Sequence, residues 1–449
     1  MNRRERRRQA KEARGTGKGD KAVSHGIRGE QLAGEGKIDE AIEAFRRAIS
    51  IDPQYAVAHH NLGVLLRRQG LLNEAIESYT RATAIQSDYV DAHYNLGNAL
   101  MDLGNLDAAV ASYHKALAIK PDFAEAHNNL GNVFKELRKL DEAVASYHKA
   151  LAIKPDYAEA HSNLGNALKG LGKLDEAVAS YHKALAIKPD YAEAHSNLGL
   201  ALQDLGKLSE AIACYRKTMK INPDYALAHY NLHSLLLDPD DLVPSIKCMK
   251  RAVDIEHSRA DYRFMLGMLL DYSGNPQEAK PHFDMVENGA SLYQARLGAW
   301  RYIKSANNKV PPIIGSSVQA FKLGIDAAVV DGLVLEFGVR FGTSIRQIAA
   351  LVDQDVHGFD SFQGLPESWH NEPKGSYSTK GVIPPVPEHV TLHEGWFEET
   401  LPGFVKKHPE PVRFMNIDCD IYSSTKTILE FFAKQIIPGT VIVFDEYIG

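Results

Sequence analysis

Residues 158–191 read AEAHSNLGNALKGLGKLDEAVASYHKALAIKPDY, and this 34-residue stretch recurs in register through much of the 449-residue chain. His59, His93, His127, His161, His195 and His229 stand 34 residues apart, and Asn61, Asn95, Asn129, Asn163, Asn197 and Asn231 keep the same step. Pro53, Pro121, Pro155, Pro189 and Pro223 close the units, with Ser87 replacing the proline once. Within the unit, Leu164, Gly165 and Leu168 fall at helical spacing, as do Ala177, Tyr181 and Ala184, with a glycine turn between the two sets and a proline after them. Each unit therefore predicts two helices.

Period and pattern match the tetratricopeptide repeat (TPR). The register continues weakly into Ala41 and Phe45 upstream and into Gly267, Ala279 and Phe283 downstream, giving about eight repeats over residues 22–293. Stacking of such units, in which only neighbours touch, predicts an all-α solenoid with a long concave face. Pro281, inside the last second helix, marks the end of the array.

His59 and Asn61 lie about 200° apart around a helix, and no second histidine sits three or four residues from the first, so the histidine ladder reads as packing rather than a metal site. Asparagine disfavours helix interiors by about 0.5 kcal/mol against alanine, so six copies at one position need a reason. One reason is duplication. The other is a row of carboxamides on the concave face that hydrogen-bond the backbone of an extended peptide whatever its side chains. The AHxNLG ladder resembles the superhelical repeat region of O-linked N-acetylglucosamine transferase, and that resemblance implies peptide held by Asn61, Asn95, Asn129, Asn163, Asn197 and Asn231. At about 1 kcal/mol net per hydrogen bond, six asparagines support transient docking. The final third does not resemble that enzyme's glycosyltransferase domain.

Composition fits a folded protein: 44% of residues are hydrophobic and 24% charged, with a formal charge of −6. Residues 1–21 hold nine Lys/Arg against Glu5, Glu12 and Asp20, a net of +6 that leaves the remainder at −12 and argues against nucleic acid as the main partner. That basic head reads as a disordered tail. It lacks the apolar core of a secretory signal, and nowhere do about 18 apolar residues run together as a membrane span requires. A cytoplasmic protein is expected. Cys214, Cys248 and Cys419 fit neither a disulfide framework nor a zinc site and read as reduced thiols.

After a linker at residues 294–312, strand patterns alternate with helices over 313–449, the mark of a parallel α/β sheet. The candidate strands are LVLEF (333–337), VHGF (356–359), HVTLH (389–393), VRFMNI (412–417) and TVIVF (440–444). In such sheets ligands gather at the carboxyl ends of the strands. The first strand leads into Glu336, Gly338 and Gly342 before a helix opened by Ser344, with Gln347 three residues on as a capping box. A nicotinamide fingerprint would place glycine at position 340, where this chain has Arg340, and this disfavours an oxidoreductase. S-adenosylmethionine has no pyrophosphate and needs only a tight turn and a helix N-terminus for its carboxylate. Asp360 ends the second strand, where a carboxylate can take ribose hydroxyls. Residues 366–388, rich in proline and glycine, are expected to be a lid.

The ordered segments LEFGVRFGTS, GFDSFQGLPE, EGWFEETLP, IDCDIYSSTK and GTVIVFDEY resemble the class I methyltransferases related to macrocin O-methyltransferase, a Rossmann-like fold. The resemblance implies that Glu336, Gly338, Gly342, Asp360 and Ser361 hold S-adenosylmethionine, with Trp396 beside the adenine. In this fold the strand ending at Asp418 lies about 4.8 Å from the strand ending at Asp445. Asp418, Asp420, Asp445 and Glu446 would then converge, and four carboxylates stay ionised together only around a cation. The resemblance implies Mg2+, or Mn2+, on Asp418, Asp445 and Glu446, with Asp420 as general base; oxygen-only ligands suit either ion. Asp420 would take the acceptor's hydroxyl proton, its pKa lowered by the ion, and the oxygen would attack the methyl in line.

Relatives usually carry Asp-Asp where this chain has Asp445-Glu446, and they continue with a helix and two antiparallel strands where this chain stops at Gly449. The reading is an O-methyltransferase, apparently truncated after its fifth strand, acting on a small-molecule or sugar hydroxyl, with a TPR array that docks a protein or peptide. The alternative is an interaction scaffold whose methyltransferase-like end is inactive.

Overall fold

A computed structural model describes residues 17–289, 291–306, 314, 316–368, 374–419 and 422–444. Residues 1–16 of the expected tail, and Asp420, Asp445 and Glu446 of the expected site, lie outside the described residues.

Eight helix pairs come first: α1 Gly17–Gly34 and α2 Ile38–Ile51, α3 Ala56–Arg68 and α4 Leu72–Ile85, α5 Val90–Asp102 and α6 Leu106–Ile119, α7 Ala124–Glu136 and α8 Leu140–Ile153, α9 Ala158–Gly170 and α10 Leu174–Ile187, α11 Ala192–Asp204 and α12 Leu208–Ile221, α13 Ala226–Leu235 and α14 Val243–Ile255, α15 Ala260–Tyr272 and α16 Pro276–Glu287. The chain forms two compact units, Met1–Ala167 and Leu168–Gly449, divided inside α9. Helices α8 and α10 have the same sequence, LDEAVASYHKALAI.

Every second helix except α14 buries alanine and an aromatic ring, such as Ala143, Tyr147 and Ala150 in α8, all fully buried. The ring lies over a glycine of the first helix: a Cβ on Gly131 would fall 2.6 Å from Tyr147, and Gly63, Gly97, Gly199 and Gly267 face Tyr79, Tyr113, Tyr215 and Phe283 in the same way. Glycine costs a helix about 1 kcal/mol but leaves room for the ring. The turn inside every pair but the seventh takes a left-handed residue, with φ from 72° to 83° at Gly36, Gly70, Gly104, Gly172, Gly206 and Gly274. Arg138 occupies the same place in the fourth pair with φ 60°.

The histidine ladder has a specific role. Nε2 of His59, His93, His127, His161, His195 and His229 bonds the carbonyl oxygen six residues earlier, at Pro53, Ser87, Pro121, Pro155, Pro189 and Pro223, at 2.9–3.1 Å. Each ring ties its helix to the preceding turn, and burial lowers the pKa of His59, His127 and His195.

Two boundaries differ from expectation. Helix α1 begins at Gly17, inside the stretch read as tail. Helix α17, Ser291–Ala306, occupies most of the expected linker. It is held by buried Leu297 and Trp300, by the Trp300 indole donating to Asp271 at 2.8 Å, and by the Lys304–Asp271 ion pair at 2.7 Å. The partners come from α15, which local sequence could not reveal.

The α/β domain runs α18 Ser317–Ala327, β1 Leu333–Phe337, α19 Thr343–Ala349, β2 Val356–Asp360, β3 Val390–Glu394, α20 Phe397–Lys407, β4 Val412–Ile417, α21 Tyr422–Phe432 and β5 Val441–Phe444. The strands are parallel in the order β3-β2-β1-β4-β5. Chain order reverses between β1 and β4, the place where such sheets open a crevice. One apolar layer joins Phe321, Ile345, Ile348 and Val334, and the other joins Leu335, Phe337, Leu401, Phe404 and Phe432.

The expected capping box does not form. Gly342, with φ 74°, caps α19 without a side-chain bond, and Gln347 turns away. At seven residues α19 is under two turns, so it offers less of a macrodipole for a carboxylate than the sequence suggested.

Candidate active site

A cleft of about 610 Å³ opens at the carboxyl ends of the strands. Gly338, Asp360, Ser361, Trp396 and Asp418 line it, so five residues singled out by sequence meet there. Glu336 and Gly342 do not line it.

The cleft is built by close backbone approach. Gly338, with φ 91°, donates to the Phe359 carbonyl at 3.0 Å, and a Cβ there would fall 1.7 Å from the Asp418 carbonyl oxygen. Only glycine lets β1 turn over the end of β4. The Asp418 amide donates in turn to Phe337 at 2.8 Å. On β2, the Asp360 carboxylate accepts from the backbone N–H of Arg340 at 2.7 Å and of Phe362 at 2.6 Å. Burial raises its pKa, and these two bonds oppose the rise. The Gly395 amide donates to the Asp360 carbonyl at 3.1 Å, which brings Trp396, at the start of α20, to the same rim.

Glu336 lies beneath the cleft, fully buried. One carboxyl oxygen accepts from Asn416 at 3.0 Å; the other is buried without a hydrogen-bond partner. Burial pushes its pKa up to about 8, against the Ser344 and Asn416 side chains, so it is mostly protonated at pH 7.

Among the lining residues that sequence reasoning missed are Arg340, Tyr377, Glu367 and Ser423. Arg340 adopts a left-handed φ of 46°, and its guanidinium lies 4.8 Å from the Phe341 ring centre and 4.9 Å from that of Tyr377. The Ser423 hydroxyl donates to Glu367 at 3.0 Å. Arg340 interrupts a glycine pattern, and that was the available signal; the other three needed tertiary pairing to be seen. In the segment expected as a lid, residues 374–388 are a bonded strap. Leu365 and Gly375 exchange bonds with Ser376 and Leu365 at 2.9 Å, and buried Thr379 donates to Phe362 at 3.2 Å.

The asparagine ladder bonds between repeats. Asn61 donates to Glu30, Asn129 to Tyr94 and Asn98, and Asn163 to Asn128, at 2.9–3.2 Å, while Asn95 pairs with His60 at 2.9 Å. These four, with Asn197 and Asn231, are half-buried. Among the described residues no group of three or more histidine, cysteine or acidic side chains is placed to hold a metal ion, and no helix is long and apolar enough to cross a membrane.

Family profiles match both parts. The TPR repeat profile matches residues 29–70, 65–104, 97–138, 136–172 and 165–206, the tetratricopeptide repeat profile matches 192–225, and the methyltransferase domain profile matches 335–447. The chain joins tetratricopeptide repeats to a methyltransferase domain. A curated relative, the 8-demethyl-8-(2,3-dimethoxy-alpha-L-rhamnosyl)-tetracenomycin-C 4'-O-methyltransferase of Streptomyces olivaceus, is 27% identical over 154 residues, which take in 27% of this chain and 57% of that enzyme. The chain therefore spans little more than half of that relative's length. Among solved structures, MamA is 31% identical, covering 37% of this chain and 96% of its own, with a TM-score of 0.35. YrrB, described as a TPR protein with an unusual peptide-binding site, is 26% identical, covering 42% and 97%, with a TM-score of 0.37. The methyltransferase domain is thus homologous to an O-methyltransferase, and the repeats are of a type used for interaction.

Proposed function

We propose that the methyltransferase domain moves a methyl group from S-adenosylmethionine to a hydroxyl oxygen of a small-molecule or sugar acceptor, while the repeats dock a protein or extended peptide. The observation that carries this is the crossing of Gly338 over Asp418 beside the Asp360 carboxylate, in a cleft that Trp396 also lines. The residues fit the cofactor: Asp360 keeps lone pairs for two vicinal hydroxyls, and Trp396 offers an aromatic face. The cofactor supplies an electrophilic methyl. The protein's part is to orient it and to exclude water.

The proposal extends to Mg2+ on Asp418, Asp445 and Glu446, with Asp420 as general base. Of these, Asp418 alone is described. Its support is that Ile417 of β4 and Phe444 of β5 are register partners, and Asp418 and Asp445 follow those two residues in sequence. Support for a peptide on the repeats is the half-buried row of six carboxamides at one position of the repeat. Titration with S-adenosylmethionine, with and without Mg2+, tests the reading. Micromolar cofactor binding is expected, and none at all would leave the scaffold reading in its place. Methyl transfer that survives both chelation and Asp418→Ala would remove the metal.

A further inference from the structure

The turns of the later repeats touch the cofactor loop itself. The left-handed turn at Gly172, between α9 and α10, packs against Phe341, in the middle of the Gly338–Gly342 loop. A Cβ on Gly172 would lie 2.3 Å from the Phe341 Cγ. At the turn of the next repeat sits Gln347 of α19, which is 6% exposed. Its amide donates to the Asp204 carbonyl at 3.3 Å and accepts from Ser317 at 2.9 Å, and a Cβ on Gly206 would lie 3.8 Å from its Cγ. A third turn supplies the Leu237 carbonyl to the Gln319 amide of α18 at 3.2 Å. Three successive repeats thus present the same edge to the first loop and helix of the methyltransferase domain. Phe341 also carries the guanidinium of Arg340, whose backbone N–H holds Asp360. The path from repeat turn to cleft is one residue long.

We propose that these repeat turns form the outer wall of the cofactor loop and set its position, making Phe341 and Gln347 positioning residues and the repeats from Leu168 onward a required part of the cofactor site. This rests on the proposed role of Gly338–Gly342 in holding S-adenosylmethionine. It follows that a partner which alters the spacing of these turns alters cofactor affinity, and that cofactor alters the partner's affinity by the same factor.

The test uses the full chain and a matched pair of variants. Gly172→Ala and Gly104→Ala impose the same left-handed strain, with φ 72° and 80°, but a Cβ at Gly104 meets nothing within 4 Å. Hydrogen exchange of amides 338–349 and calorimetric titration with S-adenosylmethionine are the readouts. Gly172→Ala should speed exchange in that loop and weaken cofactor about tenfold, while Gly104→Ala changes neither and β4 stays protected in both. Gln347→Met should act like Gly172→Ala, and it decides the matter if the glycine variant does not fold. Identical behaviour of the two glycine variants, or an unchanged loop in Gln347→Met, overturns the proposal. Should the wild type bind no S-adenosylmethionine, the proposed function fails, whereas the exchange arm still judges the coupling.

Discussion

At the scale of the residue, Gly338 is fixed by shape and Glu336 by charge. Gly338→Ala places a methyl group inside the Asp418 carbonyl, and backbone cannot yield as a flexible side chain does. The expected outcome is loss of S-adenosylmethionine binding by titration, with the repeats' helical signal retained. Glu336 makes a prediction of the opposite sign. Its pKa is raised in the fold, to about 8 from an ordinary 4.5, so its contribution is fully present below pH 4.5 and is lost as pH climbs through 8. Glu336→Gln should therefore raise the thermal midpoint of the cofactor-free protein most at pH 8 and above, with the gain vanishing towards pH 5. Identity and strand position of both residues were legible in the sequence. The burial of Glu336 was not, because its partner Asn416 comes from a strand 80 residues away.

At the scale of the element, the repeats are held by rings over glycines and by histidines over turns. Gly131→Ala gains helix propensity but drives a methyl into Tyr147, which is fully buried and tied by its hydroxyl to Asn132 at 2.8 Å. Chemical unfolding should show a net loss of about 1–3 kcal/mol, the usual cost of overpacking. Three histidines of the ladder are pH-sensitive. With pKa values lowered in the fold by burial, His59, His127 and His195 favour the native state only while neutral. Stability is therefore lost as pH falls through the unfolded value of about 6.5. A melting midpoint that drops between pH 7 and pH 5.5 is expected, and a flat profile there would contradict it. Strand boundaries matched the apolar runs to within a residue, since a buried parallel strand is written as a continuous block. Gln347 was misread because a capping pattern is local, whereas its carbonyl partner at Asp204 lies 143 residues back. The linker was misread for the same reason, Trp300 finding Asp271 in α15.

At the scale of the whole molecule, the methyltransferase domain and the repeats from Leu168 onward belong to one compact unit. Residues 313–449 produced alone would uncover Phe341 and Gln347. Such a fragment should melt at a lower temperature than the same domain does in the full chain, read by hydrogen exchange of the β1 and β4 amides as the temperature rises. An equal midpoint would show that the repeats lend it no support. Sequence assigned both architectures but treated them as beads on a string, because periodicity reports how a segment folds and is silent on what its outer edge meets.

The identity of α8 and α10 bears on how the chain reaches its native state. Two helices written with the same letters carry no label saying which comes first, so a stack that skips a unit buries the same surfaces as the correct one, and only the divergent ends can arbitrate. Refolding from denaturant should therefore show a slow, concentration-dependent phase in which slipped or exchanged stacks sort themselves out, and rewriting one of the twins should abolish it.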